Sequence, residues 1–285
     1  MARSAVLDEI RTLDAEGEHQ RIVFLSTTHD FSFDMTRSLE FALYRTYCVP
    51  SISALLDRTG EFAKRPQKRY DDTDIIVSEL MEYGYDSERG RAALRKMNGM
   101  HNRFDLDNGD FLYVLSTFIY EPIRWIDRFG WRRMIEAERL ALFHFWRQVG
   151  RRMNIREIPG EFDEFERFNR DYERNHFRFQ ESNRKIGEAT RDLFLSWFPG
   201  FVRPIARPVI YALMDDPLIE AFGFPHPSSA LRGMVAGLMQ ARAAGLRFMP
   251  ARRRPRLRTE MRHRTYPEGY SIDRLGPPDR APGGS

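Results

Sequence analysis

The chain has 285 residues, 42% of them hydrophobic and 30% charged, with 22 Phe, 12 Met and 4 Trp; such a chain can bury a core without disulfides or structural metals. Its single cysteine, Cys48, excludes a disulfide framework, a cysteine zinc site, an iron–sulfur cluster and the C-x-x-C-H attachment of c-type haem. The formal net charge is only +4, and the excess gathers in Ala251-Arg252-Arg253-Arg254-Pro255-Arg256-Leu257-Arg258, so the rest of the chain is close to neutral.

At the N-terminus, Asp8 and Glu9 fall where a signal peptide needs an uninterrupted apolar stretch. No run approaches the roughly 18 apolar residues of a membrane span, and a cytoplasmic protein is the expectation. In Tyr47-Cys48-Val49-Pro50 the lone thiol reads as buried and inert, with thiolate ligation of a haem as the other reading.

Asp72-Thr73 precedes Ile75, Ile76, Val77, Leu80 and Met81, and Gly84 follows, which predicts a helix capped near Asp72 and closed by glycine. After Asp86-Ser87 a second helix sets Gly90, Ala93, Leu94, Met97 and His101 on one stripe. Asp107-Asn108-Gly109-Asp110 resets the chain before the apolar run Phe111–Ile119, read as helix and stopped by Pro122. Ile135, Leu142, Phe145, Trp146, Val149 and Met153 line one face of a long amphipathic helix. Further helices are expected around 162–198, 201–222 and 228–245, broken at Pro199-Gly200, Asp216-Pro217 and Gly223–Pro227. The expectation is an all-α fold: one helical domain over 1–250 and a basic, Pro/Gly-rich tail over 251–285, solvated and extended.

Three constellations could carry chemistry. His101, beside Met97 and Met100 and near Gly90 and Gly99, could be an iron ligand on a face that a flat group approaches; its bland reading is a hydrogen-bonded core histidine. Arg69 and Thr73, four residues apart, could converge on an oxygen or a propionate, or Thr73 could merely cap the helix. Glu-x-x-His occurs at Glu16/His19, Glu173/His176 and Glu260/His263, the ligand spacing of di-iron carboxylate bundles. His144, among Leu142, Phe143, Phe145 and Trp146, reads as a core histidine or a second haem neighbour. No nucleophile elbow, phosphate-binding loop, dinucleotide fingerprint or H-E-x-x-H occurs, which removes support for hydrolases and nucleotide-dependent enzymes.

Lys68-Arg69-Tyr70-Asp71-Asp72-Thr73, Met97-Asn98-Gly99-Met100-His101, Phe111–Leu115, Glu121-Pro122-Ile123-Arg124-Trp125 and Phe129-Gly130-Trp131-Arg132 together resemble the rubber oxygenase catalytic-domain family of latex-clearing proteins and MpaB oxygenases, over roughly residues 40 to 225. The resemblance implies an all-helical fold with a globin-like core around haem b, His101 on the iron, and Arg69 and Thr73 close to the haem. It also implies dioxygen chemistry that cleaves a carbon–carbon double bond of an isoprenoid chain to carbonyl products. The chain departs from the latex-clearing pattern at Asp72, where that group carries lysine; for the distal glutamate some members use as a base, Glu61 is the nearest guess.

The expected protein is therefore a haem b-dependent oxygenase for a hydrophobic, isoprenoid-like substrate, with His101 and Met97 as cofactor contacts and Arg69 and Thr73 as catalytic groups. No specific nucleic acid is expected, and the basic tail could touch a membrane surface. The competing readings are a non-catalytic helical module docking on anionic membrane or nucleic acid through that tail, and a di-iron carboxylate oxidase.

Overall fold

A computed structural model describes residues 3–250, 252 and 254–277. Fourteen α-helices occur among them: α1 (Arg3–Thr12), α2 (His19–Leu25), α3 (Ser32–Thr46), α4 (Pro50–Thr59), α5 (Glu61–Lys64), α6 (Pro66–Tyr83), α7 (Glu88–His101), α8 (Asn108–Phe129), α9 (Glu136–Arg152), α10 (Phe162–His176), α11 (Glu181–Ser196), α12 (Arg203–Leu213), α13 (Asp216–Phe222) and α14 (Ser229–Arg247). No β-strand occurs among the described residues, so the fold class is all-α as expected. One π-helical turn, Ser26–Asp30, joins α2 to α3.

Helix α8 is the axis of the molecule. Asp107 caps it by accepting from the amides of Gly109 and Asp110. Leu112, Leu115, Ile119, Ile123 and Ile126, at three- and four-residue steps, are all buried, and α3, α9, α10 and α14 pack around them. Pro122 does not stop the helix, contrary to expectation; α8 runs through it to Phe129. An interior proline costs about 3 kcal/mol, and the buried apolar side chains on both sides of Pro122 outweigh that.

Helices α6 and α7 form a hairpin. Gly84 closes α6 at φ 77°, and Ser87 caps α7 by accepting from the Gly90 amide. A Cβ on Gly90 would lie 1.9 Å from the Gly84 carbonyl oxygen, so this glycine answers to the turn. Helix α6 starts at Pro66, not at Asp72: proline at the first helical position needs no amide partner, and Thr73 falls inside the helix. The helix expected over 162–198 is split into α10 and α11, and the break expected at Asp216-Pro217 falls at the start of α13, which it separates from α12.

The basic tail is not a free arm where it is described. Five carboxylates of α6 hold it: Asp71 accepts from the Thr265 amide, Asp72 from Tyr266 Oη and the Gly276 amide, Asp74 from Arg258 Nε, Glu79 from Tyr270 Oη, and Glu82 from the amides of Arg258 and Thr259. Lys96 of α7 donates to the Asp273 carbonyl at 2.8 Å. Ala251, Arg253 and residues 278–285 of the expected tail lie outside the described residues.

Candidate active site

Residues 69 and 73 stand one turn apart on α6, and their side chains meet: Arg69 Nη1 donates to Thr73 Oγ1, and the Thr73 hydroxyl bonds the Arg69 carbonyl at 3.0 Å. The guanidinium carbon of Arg69 lies 5.7 Å from the Phe62 ring centre. Thr73 stands on the wall of a cavity enclosed by α3, α6, α8 and the docked tail. Leu39, Leu43, Val77, Met81 and Phe118 give that cavity an apolar wall.

His101 ends α7. Its ring meets Phe111 edge-on, with centres 5.5 Å apart and planes at 77°, and Met97, one turn earlier, packs half-buried against the main core. Its Nδ1 is buried with no hydrogen-bond partner. Burial pushes the imidazole pKa down to about 4, and the positive charge of Arg69 adds to the effect. The ring is therefore neutral near pH 7, with a lone pair available to a metal. A hydrogen-bonded core histidine does not describe it, because a buried nitrogen left unpartnered costs roughly 1–3 kcal/mol. His101 is not on the cavity wall itself; Arg69 connects the two, bonding Thr73 and acting on His101 through its charge.

Gly90 serves the α6–α7 turn, whereas Gly99 is exposed with open space beside it.

Sequence reasoning missed Glu40. It is buried on α3, on the cavity wall, and accepts from Arg37 Nη2 at 2.6 Å and from Tyr70 Oη at 2.5 Å. Burial raises its pKa to about 7 against the pull of Arg37 and the Tyr70 hydrogen bond, while the negative charge of Asp74 adds to the rise. Asp74 and Arg258, paired at 2.8 Å, line the same cavity. The available signal was an acid interrupting the apolar sequence Met35, Leu39, Ala42, Leu43 on a helix that packs deep in the core. Glu61 pairs with Arg65 at 2.5 Å and does not line the cavity.

The other candidates are accounted for by packing. Glu173 holds Arg45 at 2.6 Å, and His176 bonds the Tyr172 carbonyl at 2.9 Å. His19 Nε2 meets Tyr85 Oη at 2.5 Å, and His263 lies against Asp74 at 3.7 Å. Among the described residues no three His, Cys, Asp or Glu side chains come together as a metal-binding group, so the Glu-x-x-His spacings do not build a di-iron cage. Burial pushes the Cys48 thiol pKa well up, consistent with an inert residue. His144 is half-buried, its ring 6.3 Å from that of His19.

Residues 40–246 match the family described as ER-bound oxygenase mpaB/B'/Rubber oxygenase, catalytic domain. The chain belongs to this family. Relatives in it include the ER-bound oxygenase mpaB' of Penicillium brevicompactum, 28% identical over 238 residues that cover 77% of this chain and 56% of that protein. The ER-bound oxygenase mpaB of Penicillium roqueforti is 28% identical over 210 residues, 67% of this chain and 70% of that protein. The mpaB of Penicillium brevicompactum reaches 34% identity over 132 residues, 44% of this chain and 34% of its own. The chain thus spans little more than half of the first relative's length. Arg69, Thr73, Met97, His101 and Glu40 all fall within the stretch that matches the mpaB/rubber oxygenase domain, and the docked tail lies beyond it.

Proposed function

We propose that the chain is a haem b-dependent oxygenase acting on an apolar, isoprenoid-like olefin, by cleavage of its C=C bond or a related oxidation. The observation that carries this reading is the neutral, half-buried imidazole of His101, whose buried Nδ1 has no hydrogen-bond partner, beside Met97 and Phe111 in a chain of the mpaB/rubber oxygenase family. A single axial nitrogen suffices for haem, whereas a non-haem iron site needs a cluster of donors. The residues present therefore fit the group: His101 would hold the iron, Met97 would pack against the ring, and the Arg69–Thr73 pair would offer donors to a propionate or a polar oxygen. When bound, haem b would supply the iron that activates dioxygen.

This chain's own residues do the rest. Leu39, Leu43, Val77, Met81 and Phe118 exclude water and receive an apolar chain. Arg69 and Thr73 orient polar groups at the wall by charge-assisted hydrogen bonding. With its pKa near 7, the Glu40 carboxylate can accept or return a proton at neutral pH. In a cleavage, both oxygen atoms of dioxygen end as the two carbonyl oxygens, and no other reductant is consumed.

His101→Ala tests the reading. The protein purified from haem-replete expression should show a Soret band with about one b-type haem per chain by pyridine haemochrome, and the variant should lose it while keeping its helical circular dichroism. Full Soret absorbance in the variant would remove His101 as ligand, and a colourless wild type would remove haem altogether. A docking module acting through the tail has less support, because Arg258 is engaged by Asp74 and the segment around it is fastened to α6.

A further inference from the structure

Ten large hydrophobic side chains stand exposed among the described residues, and seven of them fall on α12, α14 and their flanks: Phe198, Phe201, Ile205, Met234, Leu238, Phe248 and Met249. Phe201 is 82% exposed, Ile205 70%, Leu238 64% and Phe248 91%. A soluble surface carries single exposed apolar residues, but a cluster of this kind marks an interaction face. Phe198, Phe201 and Ile205 follow one another at three- and four-residue steps; so do Met234, Leu238, Ala241, Gly245 and Phe248, along one stripe of α14. Helices α12 and α14 pack against each other, and both present these side chains to solvent. Gly233, Gly237 and Gly245 of α14 have open space beside them.

The charges on these helices have one sign. Neither Asp nor Glu occurs over residues 193–214 or 221–259, and Arg203, Arg207 and Arg247 stand exposed beside the apolar residues. An apolar face whose own helices carry charge only as arginine is complementary to a bilayer surface with anionic headgroups: the rings and aliphatic chains enter the boundary of the acyl region, and the guanidinium groups stay at the phosphates. No described helix is long and apolar enough to cross a membrane, so α12 and α14 would lie along the surface rather than span it.

We infer that the α12–α14 face docks this protein on an anionic lipid bilayer, with Phe201, Ile205, Leu238 and Phe248 as the inserted side chains. This contact is separate from the basic tail, and it stands whether or not the chain carries a haem.

Co-sedimentation of the full chain with vesicles of phosphatidylcholine alone, or of phosphatidylcholine with phosphatidylserine, tests the inference. Pelleting should require phosphatidylserine and weaken at high salt. The double variant Phe201→Glu/Leu238→Glu, shown folded by circular dichroism, should lower the vesicle partition by roughly tenfold or more, and Arg203→Gln/Arg207→Gln should lower it without changing helicity. Leu238→Gln alone should give a smaller loss, and it keeps the test decisive if the double variant does not fold. Absence of pelleting, or pelleting that these substitutions leave unchanged, would overturn the inference. So would a dimer in solution that Leu238→Gln dissociates in a protein that ignores vesicles, since the face would then be covered by a second copy of the chain.

Discussion

Two titratable side chains of the candidate site, His101 and Glu40, are shifted in opposite directions by the same cause. Burial strips water from His101 and from Glu40 and disfavours the charged form of each, so the imidazole stays neutral and the carboxyl holds its proton up to about pH 7. Arg37, Tyr70, Asp74 and Arg258 surround Glu40 and leave its raised pKa in place. Its folded-state pKa exceeds the value of about 4.5 expected when unfolded, so the folded protein binds more protons between those limits. The contribution of Glu40 to stability therefore falls as pH rises from about 4.5 to about 7 and is level above. Glu40→Gln should remove that slope in urea unfolding followed at pH 5, 6 and 8; an unchanged slope would show that another group produces it. If Glu40 also moves protons in turnover, the variant should lose the limb of the pH–rate profile near pH 7.

At the level of elements, α6 serves both the cavity and the tail. Thr73 and Val77 line the cavity, Asp71, Asp72 and Glu79 hold the docked tail, and Asp74 and Glu82 do both. Asp72 departs from the latex-clearing pattern at this helix, and its contacts give it a role there: its carboxylate takes Tyr266 Oη at 2.5 Å, the Gly276 amide at 2.9 Å and Lys68 at 2.8 Å. Removing it leaves the buried Gly276 amide unpaired, at a cost of roughly 1–3 kcal/mol. Asp72→Ala should therefore lower the melting temperature by about 2–4 °C for every kcal/mol lost and hasten tryptic cleavage in the tail beyond Arg254. Cleavage as slow as in the wild type would show that Asp72 does not fasten the tail. Because Arg256, Arg258 and Met261 line the cavity, the same variant should widen access to it.

Over the whole molecule, a main core around α8 and α9 meets a second cluster that includes Tyr44, Cys48, Phe62, Ile186, Leu218 and Phe222. Arg45 joins them: from α3 it reaches Glu173 of α10 at 2.6 Å, Asp215 at the start of α13 at 2.7 Å and Glu121 of α8 at 3.4 Å. Breaking a buried ion network by removing one partner costs about 3–5 kcal/mol, since the Glu173 carboxylate is left without its cation while Glu121 keeps only Arg124 at 2.9 Å. Arg45→Ala should consequently lower the thermal midpoint by far more than an exposed variant such as Arg11→Ala, whose pair with Asp8 is open to water. Equal effects in calorimetry would mean that the network does not join the two clusters.

Local patterns in the sequence were enough for the helical class, the Gly84 terminus and the family resemblance, because periodicity, glycine termini and short motifs act within a few residues along the chain. The same local rules misplaced the break at Pro122, where burial supplied by distant helices outweighs propensity, and the start of α6, where Pro66 at the first helical position was passed over for Asp72. The tail read as a solvated arm because its partners, five carboxylates of α6, lie some two hundred residues away in sequence. Glu40 showed in the sequence only as an acid on an apolar face, for a related reason: a glutamate acquires a pKa near 7 only when several elements close over it. Sequence determined which side chains could do chemistry, through their types and spacing. Tertiary structure decided which of them lost their water, and desolvation is a property of the packed molecule rather than of any segment of its chain.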